Sequence, residues 1–255
     1  MPVSVNAGGK GGGIVMKKEK VKKIIDVSVL VVAAHPDDEV LGCGGTIMNH
    51  TARGELVHIL FLSDGVMSRD GAGDADVRAR RNAAKMAANI LGADVEFADF
   101  PDNRFDEVCL LDIARRIEKT KSRIRPSLVY THHGGDLNID HQRTCQAVVT
   151  AFRPQPSELC SELYFFEVSS STEWQFSLGV AEFRPQVAVD IAAYWEKKVA
   201  AMDCYETELR PPPHPRSIHS TKALAAHRGS TFGMTLAETF EVGYIRKKEQ
   251  ETVLL

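Results

Sequence analysis

Residues 27–34 (VSVLVVAA) form an unbroken, largely β-branched apolar run, the pattern of a strand buried on both faces, and 56–62 (LVHILFL) and 127–131 (SLVYT) resemble it. Between them, 44–52 and 77–91 have helical composition, the second closing on Gly92 as a C-cap, and 109–123 reads as a further amphipathic helix. Strand and helix therefore alternate, which predicts a doubly wound α/β fold around a parallel sheet. The second half is less regular: 163–168 and 186–191 predict strands, 194–209 a helix, and 210–217 (RPPPHPRS) a proline-ordered loop. No composition break separates the halves and there is no internal repeat, so 21–255 is expected to be one domain behind a Gly- and Lys-rich tail at 1–20 that is expected to be disordered.

With 44% hydrophobic and 25% charged residues, the 255-residue chain is long and apolar enough to bury a sizeable core. A formal charge of −3 and a pI near 6.3 supply no global field for nucleic acid or an anionic membrane, and no apolar run reaches membrane-spanning length. Five cysteines, scattered and without a C-x-x-C pair, argue against a disulfide framework or a structural thiolate zinc site; the expected compartment is a reducing cytoplasm.

The chemistry gathers after the strands. The first runs straight into His35-Pro36-Asp37-Asp38-Glu39, and the third into His132-His133-Gly134-Gly135-Asp136-Leu137-Asn138-Ile139-Asp140-His141. Ligands of open parallel sheets bind beyond the carboxyl ends of the strands, so the two clusters are expected to converge on one rim. Imidazoles beside carboxylates suit a catalytic zinc with an open position for water. A dinucleotide loop is not expected, because Gly42, Gly44 and Gly45 miss the G-x-G-x-x-G spacing; Ser63 and Ser68 lack the setting of a serine nucleophile.

Ala34-His35-Pro36-Asp37-Asp38-Glu39, followed by Gly42-Cys43-Gly44-Gly45-Thr46, resembles the opening motif of the LmbE-like, PIG-L-type N-acetylglucosaminyl deacetylase family. The likeness continues through residues 62–65, Pro101-Asp102, Asp140-His141, Arg228-Gly229 and 237–240. It implies a Rossmann-like, mostly parallel sheet with helices on both faces, and hydrolysis of an N-acetyl amide on an amino sugar. It also implies one Zn2+ per chain on His35, Asp38 and His141, with Asp37 as the general base that takes a proton from water and passes it to the departing amine. Homo-oligomerisation is an expectation from the same likeness.

Asp140 is expected to orient a neighbouring ligand, or to cap its own loop. The family's oxyanion-stabilising histidine, three positions before the last ligand, is here Asn138, whose amide can still donate a hydrogen bond, with His133 or His227 as substitutes. The family's helix glutamate is missing too, since the matching stretch reads Arg80-Arg81-Asn82-Ala83. Asp102 is expected to accept from sugar hydroxyls, and Arg69, Arg216 and Arg228 to line the substrate site, Arg216 as a phosphate clamp. Two other readings remain open: an amidase for a non-sugar N-acyl compound, and a non-catalytic homologue that binds a glycan or nucleotide sugar. Stoichiometric zinc separates the last from an enzyme.

Overall fold

The computed structural model describes residues 27–247 except 177, 178 and 180, so the tail expected at residues 1–20 lies outside the described residues. Among the described residues seven strands form one sheet in the order β3-β2-β1-β4-β5-β7-β6. The first five strands are parallel and are β1 (Ser28–Ala33), β2 (Leu56–Ser63), β3 (Asp94–Phe100), β4 (Leu128–His132) and β5 (Glu162–Phe166). The antiparallel strands β6 (Val187–Asp190) and β7 (Ala237–Ile245) complete one edge. The mostly parallel α/β sheet expected from the alternation is present.

Helices cover both faces. Val29, Val31 and Ala33 of β1 pack with Val40 and Ile47 of α1 (Asp38–Ala52), Ala84 and Ala87 of α2 (Asp74–Leu91), and Ala201 and Met202 of α5 (Trp195–Asp203). Leu30 and Val32 face the other way, onto Ile113 and Ile117 of α3 (Leu110–Ile124) and Ala147 and Val148 of α4 (Ile139–Ala151). This double burial is why β1 is apolar at every position from Val29 to Ala33. The chain winds outward from β1 to β3 and then crosses back to β4, so β1 and β4, neighbours in the sheet, send their following segments to opposite faces. The crevice at that reversal holds both His/Asp clusters.

Several boundaries move. Helix α1 begins at Asp38, six residues before the expected start, because it contains a kink at Cys43 (φ −148°, ψ 22°) and restarts at the glycines. Those glycines answer close approaches: a Cβ on Gly42 would lie 2.4 Å from the Phe166 ring, and one on Gly45 2.5 Å from Ile191. Helix α2 starts at Asp74 rather than at 77, with the Asp76 carboxylate accepting from the Gly73 N–H, and ends on Gly92 at φ 76° as expected. Helix α5 stops at Asp203 rather than running to 209. Strands β3 and β7 and helices α4 and α6 (Ile218–Thr231) were not anticipated; His141 therefore lies in the first turn of a helix and not in a loop.

Candidate metal centre and active site

His35 lies two residues beyond the end of β1, Asp38 opens α1, and His141 sits in the first turn of α4; the three offer ligand atoms within 4.8 Å of one another, all buried. His35 Nδ1 and His141 Nε2 lie 3.4 and 3.3 Å from Asp38 Oδ2, which also accepts from the His35 N–H at 2.8 Å. The other oxygen, Asp38 Oδ1, is buried and has no hydrogen-bond partner among the described residues. A buried carboxylate oxygen with nothing to bind is costly, and a cation removes the cost.

Each imidazole is backed by a carboxylate on its far nitrogen. His35 Nε2 is 3.1 Å from Asp140 and 3.3 Å from Asp102, and His141 Nδ1 is 3.2 Å from Asp136. Such partners hold a proton on the outer nitrogen and turn the inner lone pair toward a metal. His35, Asp102 and Asp140 also lie close enough together to hold an ion. Their oxygens are engaged, however: Asp140 accepts from the backbone N–H groups of Asn103 (2.7 Å) and Phe105 (2.9 Å), and Asp102 Oδ2 from the Ser68 N–H and hydroxyl. The first trio, with its unpartnered oxygen, fits a divalent cation better.

The field agrees. Burial alone would lower His35 and His141, but the surrounding carboxylates raise His35 well above the usual imidazole range and His141 to about 9. Burial would likewise raise Asp38, yet His141 and His132 hold it well below the carboxylate range, and Asp102 and Asp136 fall to about 2 beside His35 and His141 respectively. The pocket is built for positive charge. His132, the last residue of β4, stacks on His141 with ring centres 4.0 Å apart and accepts the Ala34 N–H at its Nε2; burial, then the charge on His141, keeps it well below the usual imidazole range.

Asp37 stands beside this centre with φ 126°, a strained backbone for a residue with a Cβ, and its N–H donates to Glu39 Oε2 at 2.9 Å. Burial pushes Glu39 up to about 8, against the hydrogen bonds from Tyr205 and Asp37. Arg216 donates to Asp37 Oδ2 at 2.9 Å, with Arg80 at 4.0 Å. Burial raises the Asp37 carboxyl above its ordinary value, opposed chiefly by the Arg216 charge. Arg69, Arg80 and Arg216 all reach Glu208, which lies beyond α5. Glu208 thus gives Arg80 a glutamate partner that α2 does not supply.

The other expected site residues are less uniform. Asp102 turns inward to His35 and Ser68 instead of presenting its carboxylate to the opening. Arg228 forms a two-point ion pair with Glu167, which immediately follows β5. Asn138 caps α4: its Oδ1 accepts the N–H groups of Asp140 (2.8 Å) and His141 (3.4 Å), while its Nδ2 donates to Asn103 at 3.2 Å. Neither substitute for the oxyanion histidine is at hand, since both nitrogens of His133 are taken, by Glu241 and the Ala181 carbonyl, and His227 is exposed on α6. Asp136, His132 and Glu208 carry structure at the site and were not singled out from the sequence. His132 and Asp136 left a signal, by their place in the His/Asp-rich stretch that ends the third strand; Glu208 left none.

The family of GlcNAc-PI de-N-acetylases, PIG-L, matches residues 30–152. A 4-oxalmesaconate hydratase of Pseudomonas putida KT2440 is 32% identical over 197 residues, 69% of this chain and 72% of that protein. The chain belongs to the PIG-L family. A probable N-acetyl-alpha-D-glucosaminyl L-malate deacetylase 2 of Bacillus anthracis, also similar to this PIG-L chain, is 27% identical over 189 residues, 71% of this chain and 81% of that protein. Among solved structures, GalB, the 4-carboxy-2-hydroxymuconate hydratase of P. putida KT2440, superposes with a TM-score of 0.68 at 27% identity, over 88% of this PIG-L chain and 99% of its own. Among the described residues no helix is long and apolar enough to cross a membrane.

Proposed function

We propose that the protein is a zinc-dependent N-deacetylase that releases acetate from an amino sugar or amino-sugar conjugate in the cytoplasm. The observation that carries this is the His35, Asp38 and His141 trio, with Asp38 Oδ1 unpartnered and Asp37 adjacent. Three protein ligands with nitrogen and oxygen donors suit a catalytic zinc. When bound, such a cation polarises a carbonyl and lowers the pKa of water to about 7. Asp140 and Asp102 fix the tautomer of His35, and Asp136 that of His141. Asp37 takes the proton of the attacking water and delivers it to the leaving nitrogen; the Arg216 charge opposes the rise that burial imposes on its carboxyl. Arg69 and Arg216 face an anionic part of the substrate. Asn138 contributes an amide N–H to the developing oxyanion.

A second reading, a hydratase, is favoured by the 32% identical relative and by the use of the Asn138 carbonyl as a helix cap. Addition of water to an activated carbon–carbon double bond uses the same base but develops no oxyanion at the attacked carbon. The test is acetate release by the zinc-loaded protein from free, nucleotide-linked and lipid-linked N-acetylglucosamine, beside hydration of 4-oxalmesaconate. Asp37→Asn is expected to keep its zinc by elemental analysis and lose roughly 10²-fold to 10⁴-fold in turnover. Hydration without acetate release overturns the deacetylase reading, and loss of zinc in Asp37→Asn makes Asp37 a ligand.

A further inference from the structure

Beyond β5 the chain reads Val168-Ser169-Ser170-Ser171-Thr172, four hydroxyl residues in a row that close a tight turn, in which the N–H groups of Ser171 and Thr172 both donate to the Val168 carbonyl, at 3.2 and 2.9 Å. We propose that this turn is a positioning element for the reaction: Ser171 and Thr172 fix the Asp136 carboxylate behind the metal ligand His141, and Ser170 fixes the Arg216 guanidinium beside Asp37. One turn then sets the metal and the base against each other. The inference rests on the metal-dependent reading of the site and applies to the deacetylase and the hydratase alike.

The metal side carries the first argument. Thr172 Oγ1 donates to Asp136 Oδ2 at 2.7 Å, and Ser171 Oγ donates to Asp136 Oδ1, which also accepts the Asn138 N–H at 2.8 Å. That same Oδ1 lies 3.2 Å from His141 Nδ1, and Ser171 Oγ is 3.4 Å from the same nitrogen. Asp136 is fully buried and Ser171 is 5% exposed, so water does not compete for these bonds. A carboxylate free to turn would offer His141 a changing partner; gripped on both oxygens, it presents one. Thr172 is itself held, because its hydroxyl oxygen accepts the Val168 N–H at 2.8 Å.

The base side carries the second. Ser170 Oγ accepts from Arg216 Nε at 2.7 Å, while the same guanidinium donates to Asp37 Oδ2 at 2.9 Å. Ser170 stands at φ 67°, a left-handed backbone that costs a residue with a Cβ, and its N–H donates to Glu173 Oε1 at 2.6 Å. Strain of this kind persists only where the surroundings over-determine it. Its result here is that the Ser170 hydroxyl meets Arg216 while those of the next two residues meet Asp136. The two segments touch once more: the Trp174 ring meets His214 edge-on with centres 5.5 Å apart, and His214 Nδ1 accepts the Arg216 N–H at 3.1 Å.

Competition with a chelator reads zinc affinity in the full chain without any substrate. Thr172→Val removes the hydroxyl and keeps the shape, and it is expected to weaken zinc binding by about 10-fold to 100-fold, the usual effect of losing support behind a metal ligand, whereas Thr172→Ser keeps the donor and is expected to stay within about threefold of wild type. Ser171→Ala is the second variant, with the same expected loss, should Thr172→Val fail to fold. Ser170→Gly suits the left-handed backbone, so it deletes the hydroxyl alone. It is expected to leave zinc affinity unchanged and, with zinc saturating, to lower kcat for acetate release, or for hydration where the wild type performs that, by roughly 10-fold to 10²-fold, as a group misplaced by about 1 Å does. Wild-type zinc affinity in Thr172→Val, a Thr172→Ser protein as weak as Thr172→Val, or full kcat in Ser170→Gly overturns the proposal. The readings fail separately. A wild type that holds no zinc removes the metal-dependent reading and this proposal with it, whereas zinc held tightly without acetate release removes the deacetylase alone and leaves the zinc affinities to decide.

Discussion

Glu238 in β7 reaches across to the kink of α1, where its Oε1 accepts the Gly45 N–H at 2.8 Å and its Oε2 the Thr46 N–H at 2.7 Å. Lys198 of α5 donates to Oε1 at 2.6 Å and to the Leu41 carbonyl at 3.0 Å. Lys198 is 2% and Glu238 5% exposed. A carboxylate thus caps the restarted helix, and a buried ammonium neutralises it. Glu238→Gln removes the charge but keeps the shape. It leaves the ammonium unpaired and places an amide NH₂ against one of two backbone N–H groups.

Breaking a buried pair from one side costs about 3–5 kcal/mol, a large part of the roughly 5–15 kcal/mol that holds a domain folded. Lys198→Met is expected to cost less, under about 2 kcal/mol, because Glu238 keeps both N–H donors and methionine fills the space of the lysine stem. In urea, with m of about 2–3 kcal/mol/M, the Glu238→Gln midpoint should fall by about 1–2.5 M. The double variant should recover part of the loss, since it no longer buries an uncompensated ammonium. A Glu238→Gln protein within about 1 kcal/mol of wild type, or a Lys198→Met protein less stable than it, refutes the reasoning.

Asp136→Asn is expected to weaken zinc binding by about 10-fold to 100-fold, read by competition with a chelator, because His141 loses the carboxylate that fixes its tautomer; unchanged affinity would make Asp136 a loop residue only. Asn138→Ala should cost about 1 kcal/mol in denaturant through loss of the α4 cap, whereas Asn138→Asp keeps the cap and deletes the amide donor. If Asn138→Asp retains full kcat, the oxyanion role is void; a fall in kcat of up to about 10³-fold with little change in KM supports it.

What the sequence made visible follows from where each element sits. Strands β1, β2 and β4 are covered on both faces and show as apolar runs. Strand β3 lies at the sheet edge with only partial burial, and its Asp94-Val95-Glu96-Phe97 alternation is too short to stand out. Strand β7 carries Glu238, Thr239 and Glu241, whose side chains serve α1, Glu167 and His133, so its polar residues disguise a buried strand. Helix α4 was hidden because its first turn is the His/Asp cluster itself. Within the site, the two His/Asp clusters were legible because each follows a strand that ends at the crevice, whereas the choice of His35, Asp38 and His141 within them came from the family resemblance. Glu208 was not: it meets Arg80 from 128 positions away, and only the folded chain brings them together.

That long-range contact bears on how the centre works. Four buried aspartates, Asp38, Asp102, Asp136 and Asp140, surround the imidazoles and draw positive charge to the floor of the site. Alongside, three guanidinium groups, those of Arg69, Arg80 and Arg216, meet only two carboxylates, Asp37 and Glu208. A base must be ionised before it can take a proton, and burial works against ionisation of Asp37. The excess of guanidinium charge on its side of the pocket opposes that penalty. Glu208 limits the same effect, for it draws Arg216 and Arg80 partly away from Asp37, and a carboxylate paired too strongly is a poor base. A glutamate inside α2 would set this balance from one side of the crevice; placed beyond α5, it comes from the same segment as Arg216. The guanidinium that pairs directly with the base and the carboxylate that tempers it therefore come from one stretch of chain, residues 208–216, with Arg80 of α2 completing the set from the other side.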